Sequence, residues 1–593
     1  MARQICDFLN NSTKANALVV RPAVLPMCFS VKVFSIALSA FILAGCQSLP
    51  SNPHLPKSVA LTQTAQQLNA QSLSNYNEST KNTQYAQNSI SNLPPKQATN
   101  PQKTLSVSEQ LNAAVDEQLA THHARQSGYY PISTGANAFA ARSILSDMAA
   151  HTIDAQYYIW HNDEAGQLLM KDLWEAAERG VKVRLLLDDM NGSPALDEAL
   201  VQFAKHPNIA VRLTNPFLYR TARAINFFTN PARINRRMHN KSMTFDNRLS
   251  IVGGRNIGNE YLNNTNDNAF ADLDVLLIGA VVHDINASFE HYWNSPNSYD
   301  IETLTQPTQT DVLALLNEAT LAEIQQGKQA DASAKALRTY RTAVQNSTIG
   351  NDLLQNRVPF RWANITFVAD PADKLQKHSN ADAHLVEQLR HAFGTPTKNL
   401  SVISSYFVPT KDGVRTLVNL AKQGVDVRIL TNSFGATDVG VVHSGYAHWR
   451  KPLLKAGVKL YELKPTAQNE AAQDKKFWRS PQSTTSLHAK AFAVDEHHVF
   501  IGSYNIDPRS ANINTELGVV IDDHRLAQQL HQALASDNLL NVAYEVRLND
   551  KNRLEWHTNH EGKPIVFNKE PDTTLKDRAG VSILGVLPLD WLL

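Results

Sequence analysis

Cysteine is scarce in this chain: its 593 residues hold only Cys6, Cys28 and Cys46. All of them lie close to the start, so no thiol pair is placed to staple a core. A surplus of charge is also missing. The net charge is +1, and a chain this balanced does not hold polyanions through its overall field. Any recognition of phosphate must therefore be local. No apolar run near the start reaches the roughly 20 residues that span a bilayer. Residues 33–43 (VFSIALSAFIL) fall well short of that.

What that short run does have is the size of a secretory h-region, with Lys32 before it and the small residues Ala44 and Gly45 after it. Leu43-Ala44-Gly45-Cys46 resembles the lipobox of bacterial lipoprotein signal peptides. That resemblance implies that Cys46 becomes the lipidated first residue of the mature chain. Gln47 rather than Asp follows, which by the same resemblance implies delivery to the outer membrane, facing the periplasm. Residues 1–46 are then a signal peptide, and Met27 is an alternative start that places Lys32 in a short n-region. Once Cys46 is the first residue no pair of thiols remains, so an oxidising compartment poses no disulfide problem. Residues 47–105 are rich in Ser, Asn, Gln, Thr and Pro with little apolar periodicity, and read as a disordered tether.

Beyond the tether the composition is ordinary for a globular protein, 43% hydrophobic and 19% charged, and the length allows more than one core. Helical spacing returns near Ser106 and again over 138–150. Then TIDAQYYIW (152–160) reads as a strand, Asn162-Asp163 as a turn, the residues through Glu178 as a helix, and VKVRLLL after Gly180 as a buried strand. The unit recurs from Leu400 as LSVISSYFV, a turn at Lys411-Asp412-Gly413, the helix VRTLVNLAKQG and the strand VDVRILT. The chain is thus an α/β protein with an internal duplication, 126–300 and 355–547. A helical connector fills 301–354, and 548–593 form a C-terminal extension. The apolar end of that extension, 581–593, reads as docking onto the domain, since Pro588 breaks it as a stand-alone anchor.

Each half carries the same polar constellation in an apolar strand pair. The first is His239-Asn240-Lys241, Asp246, then Gly253-Gly254-Arg255-Asn256; the second is His488-Ala489-Lys490, Asp495, then Gly502-Ser503-Tyr504-Asn505. The separation from His to the final Asn is identical in the two. In a strand, alternate side chains share a face, so each His and its Lys point the same way. Asp246 and Asp495 fall where a hairpin turns. The glycines admit a close backbone approach, and Asn256, Ser503 and Asn505 offer neutral hydrogen bonds. Ammonium groups, neutral donors and imidazoles together suit a phosphoryl group.

These duplicated HxKxxxxD motifs, each followed by a Gly-rich Asn turn, resemble the phospholipase D superfamily, and more narrowly the bacterial cardiolipin synthases of the C type. The stretches IDAQYYIWHND, RGVKVRLLLDD, RRMHNKSMTFDN, FADLDVLLIG, TNSFGATDVGVVHSGY and GSYNIDPRSANINTELGVVID carry the likeness. The resemblance implies two similar phospholipase D-type α/β sandwich halves packed as a pseudo-dimer around one active site, and ping-pong chemistry with no metal and no cofactor. One His becomes a phosphohistidine and the other moves the proton, both within the repertoire of imidazole near neutral pH. Lys241 and Lys490 then neutralise developing charge, with Asp246 and Asp495 as the remaining motif members, whose position at a turn suggests a structural role. Aligning the halves matches Asp272 with Glu516 as the carboxylates that orient the histidines, and Asp274 competes with Asp272. Gly254 stands where the second half has Ser503, so the halves are not equivalent. His239 is the expected nucleophile and His488 the acid/base.

Upstream of the first motif, 219–237 gather Arg220, Arg223, Arg233, Arg236 and Arg237 with Phe227 and Phe228. Such a loop suits anionic lipid headgroups and acyl chains. His443 and Tyr446 are further candidate headgroup contacts. The leading function is therefore phosphatidyl transfer making cardiolipin from phosphatidylglycerol and a second phospholipid, with phospholipid substrates, membrane association through the lipid anchor and no nucleic acid. A hydrolytic phospholipase D uses the same chemistry with water as acceptor. A nuclease of the same superfamily fits the near-neutral charge poorly, and a non-enzymatic envelope adaptor predicts decay of a motif, whereas both are intact.

Overall fold

The computed structural model describes residues 48–51, 53–87, 107–122, 125–262, 269–305, 340–376, 379–437, 439–465 and 485–584. The expected signal peptide, Cys46, most of the connector and the last nine residues of the apolar C-terminus (585–593) lie outside them.

The first half contributes β1 (Gln126–Ile132), β2 (Thr152–Tyr157), β3 (Lys182–Asp188), β4 (Ile209–Thr214), β5 (Ser242–Phe245), β6 (Leu249–Gly253), β7 (Ala269–Ala271), β8 (Asp274–Gly279) and β9 (Ser298–Asp300). The second contributes β10 (Arg361–Ala369), β11 (Asn399–Ser404), β12 (Asp426–Asn432), β13 (Lys459–Leu463), β14 (Thr485–Leu487), β15 (Lys490–Val494), β16 (His498–Gly502), β17 (Leu517–Asp522) and β18 (Ala543–Leu548), and the C-terminal extension adds β19 (Leu554–His560) and β20 (Lys563–Phe567).

Pairing in the first half runs β1-β8-β6-β5-β2-β3-β4-β9, and in the second β10-β17-β16-β15-β11-β12-β13-β18, with the same directions at every step. The duplication is therefore structural. In each half only the central trio is parallel, β2-β3-β4 and β11-β12-β13. In the first half these strands are buried almost throughout, although β2 alternates apolar Ile153, Ala155 and Tyr157 with polar Thr152, Asp154 and Gln156. The crossover helices Glu164–Glu178 and Lys411–Lys422 open on Asp163 and Thr410, whose side chains accept from Gly166 N and Gly413 N. Both chains turn out of these helices through a left-handed glycine, Gly180 (φ 98°) and Gly424 (φ 92°). Lys411-Asp412-Gly413, expected as a turn, is instead the first turn of the second helix, capped by Thr410.

Antiparallel pairing of β1 with β10 joins the two sheets edge to edge. Each half has its own core, and a further one lies between them, where Val252, Val275 and Leu277 of the first half meet Ala491, Val499, Ile501 and Val519 of the second. Burial of this kind makes the halves one body rather than two beads.

The tether expected over 47–105 is largely helical where it is described, as Pro56–Gln87. Its buried face carries Ser58, Leu61, Thr62, Ala65 and Asn69, at helical spacing. Most of that face is polar, which hides it from hydrophobic periodicity; hydrogen bonds hold it. Ser58 Oγ donates to Asp300 Oδ1 (2.7 Å), Trp293 Nε1 to Thr62 Oγ1 (2.8 Å) and Asn69 Nδ2 to Asp154 Oδ2 (3.1 Å).

At the other end, β19 and β20 widen the second sheet beyond β18. Trp556 Nε1 donates to Glu462 Oε2 (3.0 Å), and Glu570 pairs with Arg450 at 2.5 Å. The described part of the extension is docked.

Candidate active site

Each motif histidine stands just before a short strand, at the edge where the parallel trio of its half ends. The preceding residue is pinned from that trio. Asp188, last in β3, accepts from Met238 N (2.8 Å); Asn432, last in β12, accepts from Leu487 N (2.9 Å) and donates to Leu487 O (2.9 Å). Asp188 and Asn432 occupy equivalent positions, and the sequence reading passed over both. The signal was present in the aligned ends of RGVKVRLLLDD and QGVDVRILTN.

The opposite half supplies the other support. His239 N donates to Thr515 O (2.9 Å) and Thr515 N to Arg237 O (2.9 Å). Reciprocally, β14 pairs with β7, and His488 N donates to Ala271 O (2.8 Å). These backbone bonds deliver a carboxylate across the interface. Nδ1 of His239 is 2.8 Å from Oε2 of Glu516, and Nδ1 of His488 is 2.6 Å from Oδ2 of Asp272. Asp274 does not compete, because it is bound to Arg142 at 2.9 Å.

The histidines are 9% and 8% exposed amid almost wholly buried neighbours. Tyr158 stands edge-on to His239 at 4.8 Å between ring centroids, and Tyr261 to His488 at 5.2 Å. Neither tyrosine was singled out from the sequence. Lys241 Nζ donates to His239 O (2.8 Å) and lies 5.3 Å from the Tyr158 ring. Lys490 Nζ donates to His488 O and to Ser405 Oγ (3.0 Å), Ser405 being the counterpart of Tyr158.

Burial sets the charge states here. It pushes His488 down to about 4, with Lys490 helping and Asp272 opposing. Burial, followed by Lys241, Lys490 and Arg509, holds His239 well below its usual value. Lys241 falls to about 7 through burial, with Lys490 also lowering it. The carboxylates diverge. Burial raises Glu516 to about 7; for Asp272 burial acts the same way but is outweighed by His488, Lys490 and Arg255, which keep it ionised. Burial therefore favours the neutral imidazole at both histidines, with Nδ1 towards a carboxylate and Nε2 on the opposite side of the ring. An arriving phosphodiester, being anionic, favours the charged forms of the lysines and of an imidazolium.

Other expected site residues are placed differently. Asp246 (φ 52°) and Asp495 (φ 49°) occupy the left-handed hairpin turns beyond β5 and β15. Asp246 accepts from Ala150 N, His151 N and Thr152 N (2.9, 2.7 and 2.9 Å), and Asp495 from Thr397 N, Lys398 N and Asn399 N (3.0, 2.7 and 3.1 Å). They fasten the hairpin to the start of β2 or β11 and do not face the histidines. Ser503 spends its hydroxyl on Glu516 Oε2 (2.5 Å) and accepts from Leu517 N (3.0 Å) rather than facing outward for phosphate. No such hydroxyl fits at Gly254, where a Cβ lands 2.2 Å from Asp272 Oδ1. Asn505 Oδ1 accepts from Ser405 Oγ (2.8 Å). Asn256 Oδ1 accepts from Ile159 N (3.2 Å), and its buried Nδ2 has no protein partner among the described residues, so it is a donor free for a ligand.

His443 and Tyr446 do not reach a headgroup. His443 is buried 2.6 Å from Glu570, and Tyr446 donates to Glu462 (2.9 Å). The five arginines of 219–237 are also committed inward. Arg220 pairs with Asp189 and Asp197, Arg223 with Asp189, Arg237 with Asp188, while Arg233 donates to Pro216 O and Arg236 to Lys374 O. Phe227 and Phe228 remain outside.

The chain as a whole is similar to known proteins. The family described as cardiolipin synthase, PLD-like domain, matches residues 145–293 and 386–538, one match per half. Cardiolipin synthase C of Escherichia coli is 40% identical over 80% of this chain and 98% of its own length. Cardiolipin synthase B of Escherichia coli is 25% identical over 65% of this chain and 74% of its own. Among solved structures, the phosphatidylserine synthase of Haemophilus influenzae covers 82% of this chain and 99% of its own, at 13% identity and a TM-score of 0.49.

Proposed function

The chain belongs to the cardiolipin synthase family built on phospholipase D-like domains, and from that premise we propose that it moves a phosphatidyl group from one phospholipid to the glycerol hydroxyl of phosphatidylglycerol, making cardiolipin. The observation that carries the reading is the exchange of carboxylates across the halves, which fixes the rings of two buried histidines, each with a buried lysine beside it.

In the first step Nε2 of His239 attacks phosphorus. The bond to the headgroup oxygen breaks, and the imidazolium form of His488 gives its proton to the departing alcohol. A phosphatidyl-histidine remains. In the second step the hydroxyl of phosphatidylglycerol attacks phosphorus, His488 takes its proton, and the P–N bond breaks to restore His239. Lys241, Lys490 and the free Nδ2 of Asn256 serve the non-bridging oxygens. The division of labour follows the carboxylates. Asp272, kept ionised by His488, Lys490 and Arg255, stabilises an imidazolium at His488, whereas burial raises Glu516, so the carboxylate beside His239 supports an imidazolium less.

No described helix is long and apolar enough to cross a membrane. Attachment to the outer membrane, facing the periplasm, is assigned to acylated Cys46. Incubation of the purified protein with labelled phosphatidylglycerol tests the reaction. Labelled cardiolipin is expected, and phosphatidic acid with no cardiolipin overturns the synthase reading.

A further inference from the structure

Between β4 and β5 the chain leaves the sheet at Asn215 and returns at Met238, next to the site. It leaves and re-enters at one edge. Thr214 ends β4, which is parallel to β3, and Asp188 at the same end of β3 receives both Arg237 and Met238 N. Whatever this excursion carries outward therefore stands on the rim of the edge that holds His239.

Its interior is heavily braced. Asp189 accepts from Phe217 N (2.7 Å) and pairs with Arg220 and Arg223. The buried Asn226 accepts from Leu218 N and Tyr219 N (2.8 and 3.1 Å) and donates to Tyr219 O and Arg223 O (3.0 and 2.9 Å). Arg223 stacks over Phe217, and Phe217 lies under Phe227 at 5.8 Å. The short helix Ile225–Thr229 set on this base turns Phe227 (47% exposed) and Phe228 (79% exposed) to the outside. Two adjacent phenyl groups exposed on a base braced by these polar bonds offer an apolar face that an apolar partner would cover. A loop fixed in this way loses little freedom when it binds.

We propose that Phe227 and Phe228 are a wedge that enters the interface of a phospholipid bilayer and seats the rim of the active site against it. Occupancy by lipid rests on the phosphatidyl-transfer reading, since substrates of that reaction reside in a bilayer and must reach His239 from it. Aromatic side chains on a fixed loop suit the boundary between headgroups and acyl chains. The arginines of the loop are its scaffold rather than headgroup ligands.

The test uses the full chain with Cys46→Ala, so that an acyl anchor does not mask the loop, and phosphatidylglycerol/phosphatidylethanolamine vesicles. Phe227→Ser/Phe228→Ser is expected to weaken vesicle co-sedimentation roughly tenfold or more and to lower turnover on vesicles in step. Turnover of a dihexanoyl phospholipid, dissolved as monomers, is expected to be unchanged. Unchanged vesicle affinity overturns the proposal. So does an equal loss on monomers and vesicles by a folded variant, which makes the loop part of the reaction site, and so does a changed oligomeric state with vesicle binding intact, which makes it a protein contact. Phe228→Trp in the otherwise unaltered chain gives a second readout that needs no catalysis. A blue shift and quenching by bromine-labelled acyl chains are expected, and emission indifferent to vesicles overturns the wedge even if cardiolipin is made. Quenching without turnover of any phospholipid leaves the wedge standing and removes the reaction assigned above.

Discussion

Glu516 lies 2.8 Å from Nδ1 of His239, although His239 belongs to the first half of the chain and Glu516 to the second. Asp272 and His488 make the same exchange in the opposite direction, at 2.6 Å. A half taken alone would thus present its histidine without the carboxylate that fixes its ring and tautomer. Each half thus completes the histidine of the other, and the core between the halves keeps these parts in register.

Replacing Asp272 with Asn separates orientation from charge. Asp272 raises the pKa of His488 through its charge and its hydrogen bond, against the larger lowering by burial. Without the charge that pKa falls further, so the acid form of His488 is lost at lower pH. The alkaline limb of the kcat/KM profile is expected to move to lower pH, with kcat down by about 10²–10⁴. A decrease at every pH with an unmoved profile assigns Asp272 to structure alone.

Asp246→Ala is expected to act on stability instead. It removes the acceptor for three backbone N–H groups at the start of β2. A loss of about 1–3 kcal/mol in denaturant unfolding follows, with the rate per folded molecule within about twofold of the original, since the carboxylate does not face the reacting groups. A large fall in kcat at unchanged stability contradicts this placement.

The duplicated motifs and the strand-helix-strand units were legible because they rest on local period and on repetition, and Asp272 and Glu516 emerged from aligning one half with the other. The errors arose where a polar residue serves another polar residue. Ser503 reads as a phosphate donor until Glu516 is seen 2.5 Å away. The arginines of 219–237 read as an anion-binding loop, yet their partners Asp188, Asp189 and Asp197 come from other elements. Ser58, Thr62 and Asn69 gave the docked helix the composition of a linker. Long-range polar pairing leaves no periodic trace in the chain, whereas apolar burial does.

The rates of His239→Ala, His488→Ala and the double variant, measured side by side on phosphatidylglycerol, test the claim of one shared site most directly. Residues that act as a unit are not additive. Each single variant is expected to lose roughly 10³-fold or more of the transfer rate, and the double variant to lose little beyond either single. Two independent sites would instead leave each single variant with about half the activity and only the double without any; that result contradicts the account.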